Sequence, residues 1–322
     1  MRESAFFRIG TAMRSIVAVR RGGLGDLLVA APSIRLLRLA CPAARITLVA
    51  RGSYGCLLGE AGLVDAVEDA DDFRWARLSD PAAPPPPALL EADLVIGWFH
   101  SKSAADFLNE TAGLRPSTII RRFFADPASG VPLSRRLFDQ TAACAADLKC
   151  PVFPFDHCSF LPFPEKDPAP SVAGLSRPYA VVHPGGGSRA KRWPGDRFRE
   201  IIRAAAARGF GGAAVLGEAE EGIRGEWPSS VLPRGWVLLD RPDLFVLAAL
   251  LSKAAWYFGN DSGVTHLAAS LGTPGLAVFR SEFLRAWRPV GRIDTIDASN
   301  VWEIPAADVL ARSFSLELRC RS

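Results

Sequence analysis

Short apolar runs alternate with longer amphipathic stretches along most of this chain. Runs rich in valine, isoleucine and alanine predict strands, and stretches with leucine or isoleucine every three or four residues predict helices. In the first half the strands are predicted over 15–20, 45–51 and 92–99, with a helix over 27–42. Regular alternation of strand and helix predicts an α/β fold with a doubly wound, parallel sheet.

The same pattern restarts after a stretch rich in proline and polar residues. Residues 166–178 are predicted to link an N-terminal domain, 1–165, to a C-terminal domain, 179–322. In the second half strands are predicted over 179–184, 211–217, 236–240 and 274–279, with helices over 195–208, 243–254 and 264–272. Two similar α/β halves in tandem predict a ligand in the cleft between them.

Composition narrows the class of protein only modestly. The six cysteines include no CxxC pair, and Cys150, His157 and Cys158 fit no zinc signature, so no metal is expected. Reduced thiols and the lack of a signal peptide predict a cytoplasmic protein, and no apolar stretch reaches the length of a membrane span. A net charge of +4 suits an anionic ligand or a membrane surface and is too small to indicate nucleic acid.

The segment HPGGGSRAKRWP, residues 183–194, separates a predicted strand from a predicted helix. Its glycines expose backbone N–H groups, and the hydroxyl of Ser188 and the ammonium of Lys191 are suited to phosphate. The Walker pattern GxxxxGK[ST] is absent, so phosphoryl transfer with magnesium is not indicated. The alternative is a flexible surface loop with solvated cations.

A second glycine-rich segment, RGGLGD at 21–26, is predicted to be the loop after the first strand. The third glycine of a dinucleotide fingerprint would fall at 28, where Leu28 stands, so the indication of a nicotinamide cofactor is weak. Asp26 either caps the following helix or presents a carboxylate to the cleft as a proton acceptor.

Two further segments carry candidate chemistry. In GNDSGVTH, Asp261, Ser262 and Gly263 open a helix, and His266 on its first turn is either a structural residue or a ligand-binding one. After the strand at 211–217, Glu220 and Glu221 are either solvated helix-start carboxylates or acceptors for a ribose diol.

Four stretches together resemble glycosyltransferase family 9, the ADP-heptose:lipopolysaccharide heptosyltransferases: GLGDLLVAAPSIRLLRLACPAARITLVAR, VVHPGGGSRAKRWPGDRF, VLGEAEE and LAALLSKAAWYFGNDSGVTHLAASLGTPGLAVF. The patterns GDxxxxxP and NDSGxxHxAxxxGxP are specific. The resemblance implies a GT-B architecture of two Rossmann-like domains, in which 1–165 binds the acceptor, 179–322 binds the nucleotide-sugar and the last helix packs back on the N-terminal domain. It implies metal-independent, inverting transfer of a heptose from an ADP-sugar, with no cofactor. It also implies a lipid-anchored glycan acceptor and peripheral contact with the inner face of the inner membrane.

The resemblance also assigns roles to residues. Asp26 matches the catalytic base and Lys191 the phosphate-contacting lysine, while Gly187 and Ser188 lie in the diphosphate loop. Glu220 or Glu221 matches the ribose-binding acid, and the NDSGxxH motif supplies the nucleotide and donor residues Asp261, Ser262, Gly263 and His266. Arg280 is a departure, because the family usually has glycine there; it either contacts a phosphate or occludes the donor.

The acceptor site is the least defined part of the sequence. Cations in or near the predicted loops 74–90 and 121–136 are candidates for an anionic acceptor or solvated surface residues: Lys102, Arg121, Arg122, Arg135 and Arg136. Three other functions stay open at this stage: a family member with another nucleotide-sugar or acceptor, a nucleotide-sugar-binding protein without catalysis, and a nicotinamide-dependent oxidoreductase.

Overall fold

The computed structural model describes residues 13–76, 84–99, 117–124, 130–164, 175 and 178–321. They form two parallel sheets of five and six strands with helices packed around them, which confirms the predicted α/β architecture with two Rossmann-like halves. Most of the linker predicted over 166–178 lies outside the described residues, as do residues 77–83 of the loop predicted over 74–90. The described ends of that loop include the end of the helix Phe73–Ala76 and the helix Pro87–Leu90, so the prediction of a loop was wrong there.

The N-terminal sheet has the strand order β3-β2-β1-β4-β5, all pairs being parallel. Its strands are Ser15–Val19, Arg45–Ala50, Ala66–Asp69, Leu94–Phe99 and Ile119–Phe124, numbered β1 to β5. Its helices are α1 Leu24–Ala40, α2 Gly52–Glu60, α3 Phe73–Ala76, α4 Pro87–Leu90, α5 Leu133–Asp147 and α6 Phe155–Cys158. The central strands are continuous apolar runs because helices cover both faces of a parallel sheet.

The C-terminal sheet has the order β11-β10-β9-β6-β7-β8, again parallel. Its strands are β6 Tyr179–His183, β7 Gly211–Leu216, β8 Trp236–Asp240, β9 Trp256–Asn260, β10 Gly275–Arg280 and β11 Ile293–Ala298. Its helices are α7 Gly195–Ala207, α8 Leu244–Ser252, α9 Gly263–Ser270, α10 Ser281–Trp287 and α11 Ala306–Arg321. Helix α11 packs against α7 and β10 of its own half, and its predicted return to the N-terminal domain stays a prediction.

Two further predictions about loops were wrong. The segment predicted as a loop over 121–136 includes the end of strand β5 and the start of helix α5. The loop predicted over 21–26 is shorter, because α1 begins at Leu24 and takes in the last three of those residues. The first turn of α1 packs against α9 of the other half, where a Cβ on Gly25 would lie 3.3 Å from His266 Cδ2, and local sequence does not reveal this contact.

The two halves meet through α1 and α9, which pack against each other. Buried side chains of α1, such as Leu27 and Leu28, share one apolar cluster with Leu267 and Ala268 of α9. The segment after α6 also crosses between the halves, since the backbone N–H of Leu161 donates to the carbonyl of Ser270 over 2.7 Å. Because the carboxyl ends of parallel strands lead into these helices, the N-terminal ends of α1 and α9 mark the ligand edge of each sheet.

Candidate functional site

The first turn of α1 carries Asp26. Its Oδ2 accepts a hydrogen bond of 2.8 Å from the backbone N–H of Gly23, the residue that precedes the helix. Asp26 is therefore not the N-cap that its type allows; it lies in the first turn and satisfies an unpaired donor of the helix start. Gly22 has φ +123°, and a Cβ there would come within 2.6 Å of Asp26 Oδ2, so only glycine suits this position.

A buried arginine, Arg20, which the sequence analysis did not single out, binds both the carboxylate and the backbone carbonyl of Asp26. Arg20 directly follows β1 and is 1% exposed. Its Nη2 lies 3.2 Å from Asp26 Oδ1, its Nε donates to the Asp26 carbonyl over 2.8 Å, and its Nη1 donates to the carbonyl of Trp98 over 2.9 Å. Burial lowers the pKa of the Arg20 guanidinium, and the Asp26 carboxylate opposes that shift. The side chain of Asp26 remains 22% exposed, so the carboxylate is fixed yet accessible.

The glycine-rich loop after β6 is built around a buried asparagine that the sequence also left unassigned. The Nδ2 of Asn260 donates to the carbonyls of Pro184 and Gly185 over 2.9 and 3.0 Å, and its Oδ1 accepts from the backbone N–H of Trp193 over 3.1 Å. Asn260 is fully buried at the end of β9. One amide thus fixes both ends of the loop 184–193 on the neighbouring strand.

The exposed part of this loop contains the predicted phosphate ligands. Gly187 and Ser188 are both exposed, and a Cβ on Gly187 would meet nothing within 4 Å. Lys191 ends a 3-10 turn, Arg189–Lys191, and its Nζ lies 2.7 Å from Asp261 Oδ2. The same ammonium is 4.3 Å from the ring centroid of Phe283. Open backbone and a cation therefore lie at the predicted place, with the cation paired to a carboxylate.

The start of α9 is organised by hydroxyl groups. Ser262 is the N-cap, and its Oγ accepts from the backbone N–H of Thr265 over 3.3 Å. The Thr265 hydroxyl is 2.8 Å from that of Tyr257. Burial raises the pKa of Tyr257, so this phenol is a neutral structural group. Ser262 thus caps α9 as the sequence predicted for this helix start.

The N-terminal ends of α1 and α9 meet at glycines. A Cβ on Gly263 would lie 2.9 Å from Leu24 Cβ, and one on Gly25 would lie 3.3 Å from His266 Cδ2. Gly25, the residue before Asp26, therefore contacts His266 across the junction of the two halves. Both helix starts carry partial positive charge, and they converge on one place. The structure thereby joins candidates from separate halves of the sequence.

His266 is the buried member of this cluster. It is 5% exposed, its ring packs edge-on against Trp287 at 6.2 Å, and its Nε2 has no hydrogen-bond partner among the described residues. Burial and Lys191 lower the pKa of His266, whereas Asp261 and Asp26 raise it; burial has the largest effect. His266 is thus a neutral imidazole near Asp26 of the N-terminal half and near Asp261 and Lys191 of the C-terminal half, and its Nε2 has no partner among the described residues.

The two glutamates after β7 have different surroundings. Glu220 is 3% exposed, and its carboxylate accepts from the backbone N–H groups of Gly186 and Gly217 over 3.1 and 2.8 Å. Glu221 is exposed and pairs with Arg224 and Arg241. Glu220 fastens the glycine-rich loop to the β7 edge, and Glu221 lies on the open surface, so the ribose role stays a prediction for each.

Comparison with known proteins now identifies the family. The family model of glycosyltransferase family 9 (heptosyltransferase) matches residues 142–311, which include Lys191, Asp261 and His266. The chain belongs to glycosyltransferase family 9. The matched residues exclude Asp26, so the catalytic assignment of that residue rests on its own geometry and on the resemblance of its motif. No curated protein matches the chain at the level of sequence.

Solved structures support the same family 9 fold. The chain is similar to a glycosyl transferase family 9 protein from Veillonella parvula DSM 2008, with a TM-score of 0.71 and 15% identity over 95% of this chain and 98% of that one. It is also similar to the E. coli ADP-heptose lps heptosyltransferase II, with a TM-score of 0.67 and 18% identity over 96% of this chain and 100% of that one. The structure of E. coli heptosyltransferase WaaC with ADP has a TM-score of 0.66 and 17% identity over 92% of this chain and 98% of that one. The two halves thus form the GT-B architecture. The match to the family model shows that the chain is a glycosyltransferase.

The predicted acceptor cations of this family 9 chain are dispersed. Lys102 lies outside the described residues. Arg121 and Arg122 lie in the edge strand β5, paired in register with Ile96 and Gly97 below the carboxyl end of β4. Arg135, in α5, pairs with Asp139 four residues later. The description of this region as loops was wrong, and the acceptor role of these cations stays a prediction.

Neither a metal cluster nor a spanning helix is found in the part of the chain that the structure describes. No group of three or more histidine, cysteine, aspartate or glutamate side chains is placed to hold a metal there. None of the helices searched is both long and apolar enough to cross a membrane.

Proposed function

We propose that this family 9 chain transfers a heptose, or a related sugar, from an ADP-sugar to a hydroxyl of a lipopolysaccharide core or similar acceptor. The transfer is proposed to invert the anomeric centre and to need no divalent metal and no cofactor. The observation that carries the proposal is the convergence of the α1 and α9 helix starts. At this junction Gly25, next to Asp26, contacts His266, and Lys191 pairs with Asp261 just before α9, which supports a site shared by the two halves.

The N-terminal half supplies the base in this mechanism. Asp26 accepts the proton of the acceptor hydroxyl as the oxygen attacks the anomeric carbon. Arg20 compensates the negative charge of the carboxylate and fixes its position through Nη2 and Nε. The bond between the anomeric carbon and the phosphate oxygen breaks, and the nucleoside diphosphate leaves with the electron pair. Attack from the face opposite the phosphate inverts the configuration.

The C-terminal half stabilises the leaving group. The negative charge that develops on the diphosphate meets the ammonium of Lys191, the backbone of Gly187, the hydroxyl of Ser188 and the start of α9. Lys191 is held by Asp261 over 2.7 Å, so it is positioned before the donor binds. Ser262, Gly263 and the free Nε2 of His266 line the same helix start and are proposed to contact the donor.

The nucleotide base of the donor and the identity of the acceptor are inferred from the relatives. The E. coli structures bind ADP and an ADP-heptose analogue, which favours adenine and a heptose for this chain too. One of Glu220 and Glu221 is proposed to accept from the ribose; Glu221 is the exposed one, and it also pairs with Arg224 and Arg241. The acceptor is proposed to be a lipid-anchored glycan that the protein meets at the inner face of the inner membrane, with Lys102, Arg121 and Arg122 as candidate contacts.

A transfer assay tests the proposal. Purified protein, kept in EDTA, receives ADP-heptose and a heptose-deficient lipopolysaccharide core, and both ADP release and the glycan mass are followed. We expect wild type to transfer the sugar and Asp26→Asn to lose about 10²–10⁴-fold in rate while it still binds ADP. Asn keeps an oxygen for the Gly23 N–H, but its amide nitrogen then faces Arg20 Nη2, so retained ADP binding is the control that the variant is folded. Full activity of Asp26→Asn would show that Asp26 is not the base. Transfer that occurs only with added Mg²⁺ would show that the reaction needs a metal.

A further inference from the structure

Arg280 is a cation at the ligand edge of the sheet that the mechanism above does not use. It ends β10, which pairs with β9, and the backbone N–H of Asp261 donates to the carbonyl of Val278, two residues before it. The side chain thus leaves the sheet on the strand next to the one that leads into Asp261.

One aromatic ring connects Arg280 with Lys191. Phe283, on the first turn of α10, has Lys191 Nζ at 4.3 Å and Arg280 Cζ at 5.7 Å from its ring centroid. The two positive groups therefore lie no more than about 10 Å apart. Cations stack on the faces of aromatic rings by attraction to the ring quadrupole. Phe283 thus holds both cations near one another, although they repel.

Each cation has a carboxylate, but Arg280 keeps an unused donor. Lys191 pairs with Asp261, and Arg280 Nη2 lies 3.1 Å from Glu282 Oε1. The Nε of Arg280 is buried and has no hydrogen-bond partner among the described residues. A buried N–H of a charged group that lacks a partner is costly, and it gains most from an anionic ligand. The planar guanidinium also presents paired donors that fit phosphate oxygens.

We propose that Arg280 is a second cation for the diphosphate of the nucleotide-sugar, acting beside Lys191 across the ring of Phe283. The inference rests on the proposed function, since it adds a residue to the same donor site. The diphosphate of the donor brings two neighbouring negative groups, and a pair of cations bound by one ring matches them better than Lys191 alone. Glu282 competes with the donor for Arg280 and holds the guanidinium in place when the site is empty.

The test separates diphosphate from monophosphate binding. Affinities for ADP and AMP are measured by calorimetry in EDTA for wild type, Arg280→Gln, Glu282→Gln and Arg285→Gln. The UDP and UMP pair, or the GDP and GMP pair, replaces them if wild type prefers that base. Arg285 is an exposed arginine of the same helix, so its variant makes the same change of charge without a role in the site.

We expect Arg280→Gln to weaken ADP binding by about tenfold while AMP binding changes much less, because a charged hydrogen bond to the second phosphate is lost. Glu282→Gln removes the competitor and should strengthen ADP binding. Arg285→Gln should leave the ratio of the two affinities unchanged. Retained AMP binding shows in each case that the variant is folded.

Each other result overturns the proposal in a distinguishable way. An unchanged ratio in Arg280→Gln, with ADP binding still weakened by Lys191→Ala, would reject Arg280 alone and leave the donor site standing. Stronger ADP binding in Arg280→Gln would show that the guanidinium occludes the donor. Failure of wild type to bind any nucleoside diphosphate would reject both this inference and the proposed function.

Discussion

The guanidinium of Arg20 bonds Asp26 at two places, with Nη2 3.2 Å from the carboxylate and Nε 2.8 Å from the carbonyl oxygen. A third bond reaches the carbonyl of Trp98 in β4. One buried side chain therefore ties the end of β1, the first turn of α1 and the end of β4 together. The position of the proposed base is fixed by tertiary structure as well as by its own helix.

Removal of this tie should destabilise the N-terminal half. We expect Arg20→Met to lower the free energy of unfolding by about 3 kcal/mol or more, because the Trp98 carbonyl and the Asp26 carboxylate lose a buried, charged partner. The neighbouring Arg21, which is exposed, provides the control: Arg21→Met should change stability by less than about 1 kcal/mol. Urea unfolding followed by circular dichroism measures both, and equal small effects would show that the buried contacts contribute little.

The contact between helix starts should be sensitive to one methyl group. A Cβ at Gly263 would lie 2.9 Å from Leu24 Cβ and 3.1 Å from the backbone nitrogen of Gly25. Gly263→Ala should therefore push α1 and α9 apart, cost about 1–3 kcal/mol of stability and lower the rate of sugar transfer. Gly59, inside α2, has nothing within 4 Å of its Cβ position. Gly59→Ala should leave transfer intact and stabilise the protein by up to about 1 kcal/mol, since alanine favours helix.

Thermal unfolding and the transfer assay on Gly263→Ala and Gly59→Ala test whether the contact between α1 and α9 is needed. A Gly263→Ala protein with wild-type stability and wild-type transfer would show that the two helix starts need not touch.

Asn260 should control the shape of the glycine-rich loop. In Asn260→Asp the acceptor for Trp193 remains, but the Nδ2 group that donates to Pro184 and Gly185 becomes a single oxygen that faces both carbonyls. We expect a loss of about 1–3 kcal/mol in stability and weaker binding of ADP. Asn300→Asp, at an exposed helix cap, keeps the acceptor for the Trp302 N–H and loses only an exposed hydrogen bond to Glu303, so it should change little. Denaturant unfolding and calorimetry on both variants test this, and ADP binding that survives Asn260→Asp would contradict the proposed role of the loop.

Two buried histidines predict how stability depends on pH. Burial lowers the pKa of both His183 and His266 below the ordinary value, so the unfolded chain binds protons more readily than the native protein. Their contribution is complete above about pH 6.5 and is lost as the pH falls below it. We expect the free energy of unfolding to fall by up to about 1.4 kcal/mol per pH unit for each histidine.

Chemical denaturation between pH 5 and 8 measures this slope. His266→Gln should reduce it, whereas substitution of the exposed His157 should not. A flat profile in the wild type would mean that the histidines are not held neutral by burial.

Much of the fold followed from local pattern because its central strands are continuous apolar runs. The strand at 236–240 has the predicted bounds, and the helices at 195–208 and 243–254 differ from prediction by one or two residues at their ends. The edge strands β5 and β11 escaped prediction. Each carries charged residues within the strand, as edge strands with a solvated side do.

The site was predicted in its parts but not in its contacts. Motifs identified Asp26, Lys191 and His266, yet the supporting residues Arg20 and Asn260 were missed. An arginine after a strand is ordinarily a surface residue, and its burial depends on Trp98, which is 78 residues away. Spacing along the chain carries no information on such a contact.

Binding of nucleotides without metal tests the central claim, that the junction of the two halves is a nucleotide-sugar site built on Lys191. Wild type and Lys191→Ala are titrated by calorimetry in EDTA, and then with Mg²⁺, against ADP, UDP, GDP and NAD. We expect ADP to bind without metal and Lys191→Ala to weaken it by about 1–3 kcal/mol, as for the loss of one charged hydrogen bond. Binding of NAD alone, or ADP binding that Lys191→Ala leaves unchanged, would contradict the account.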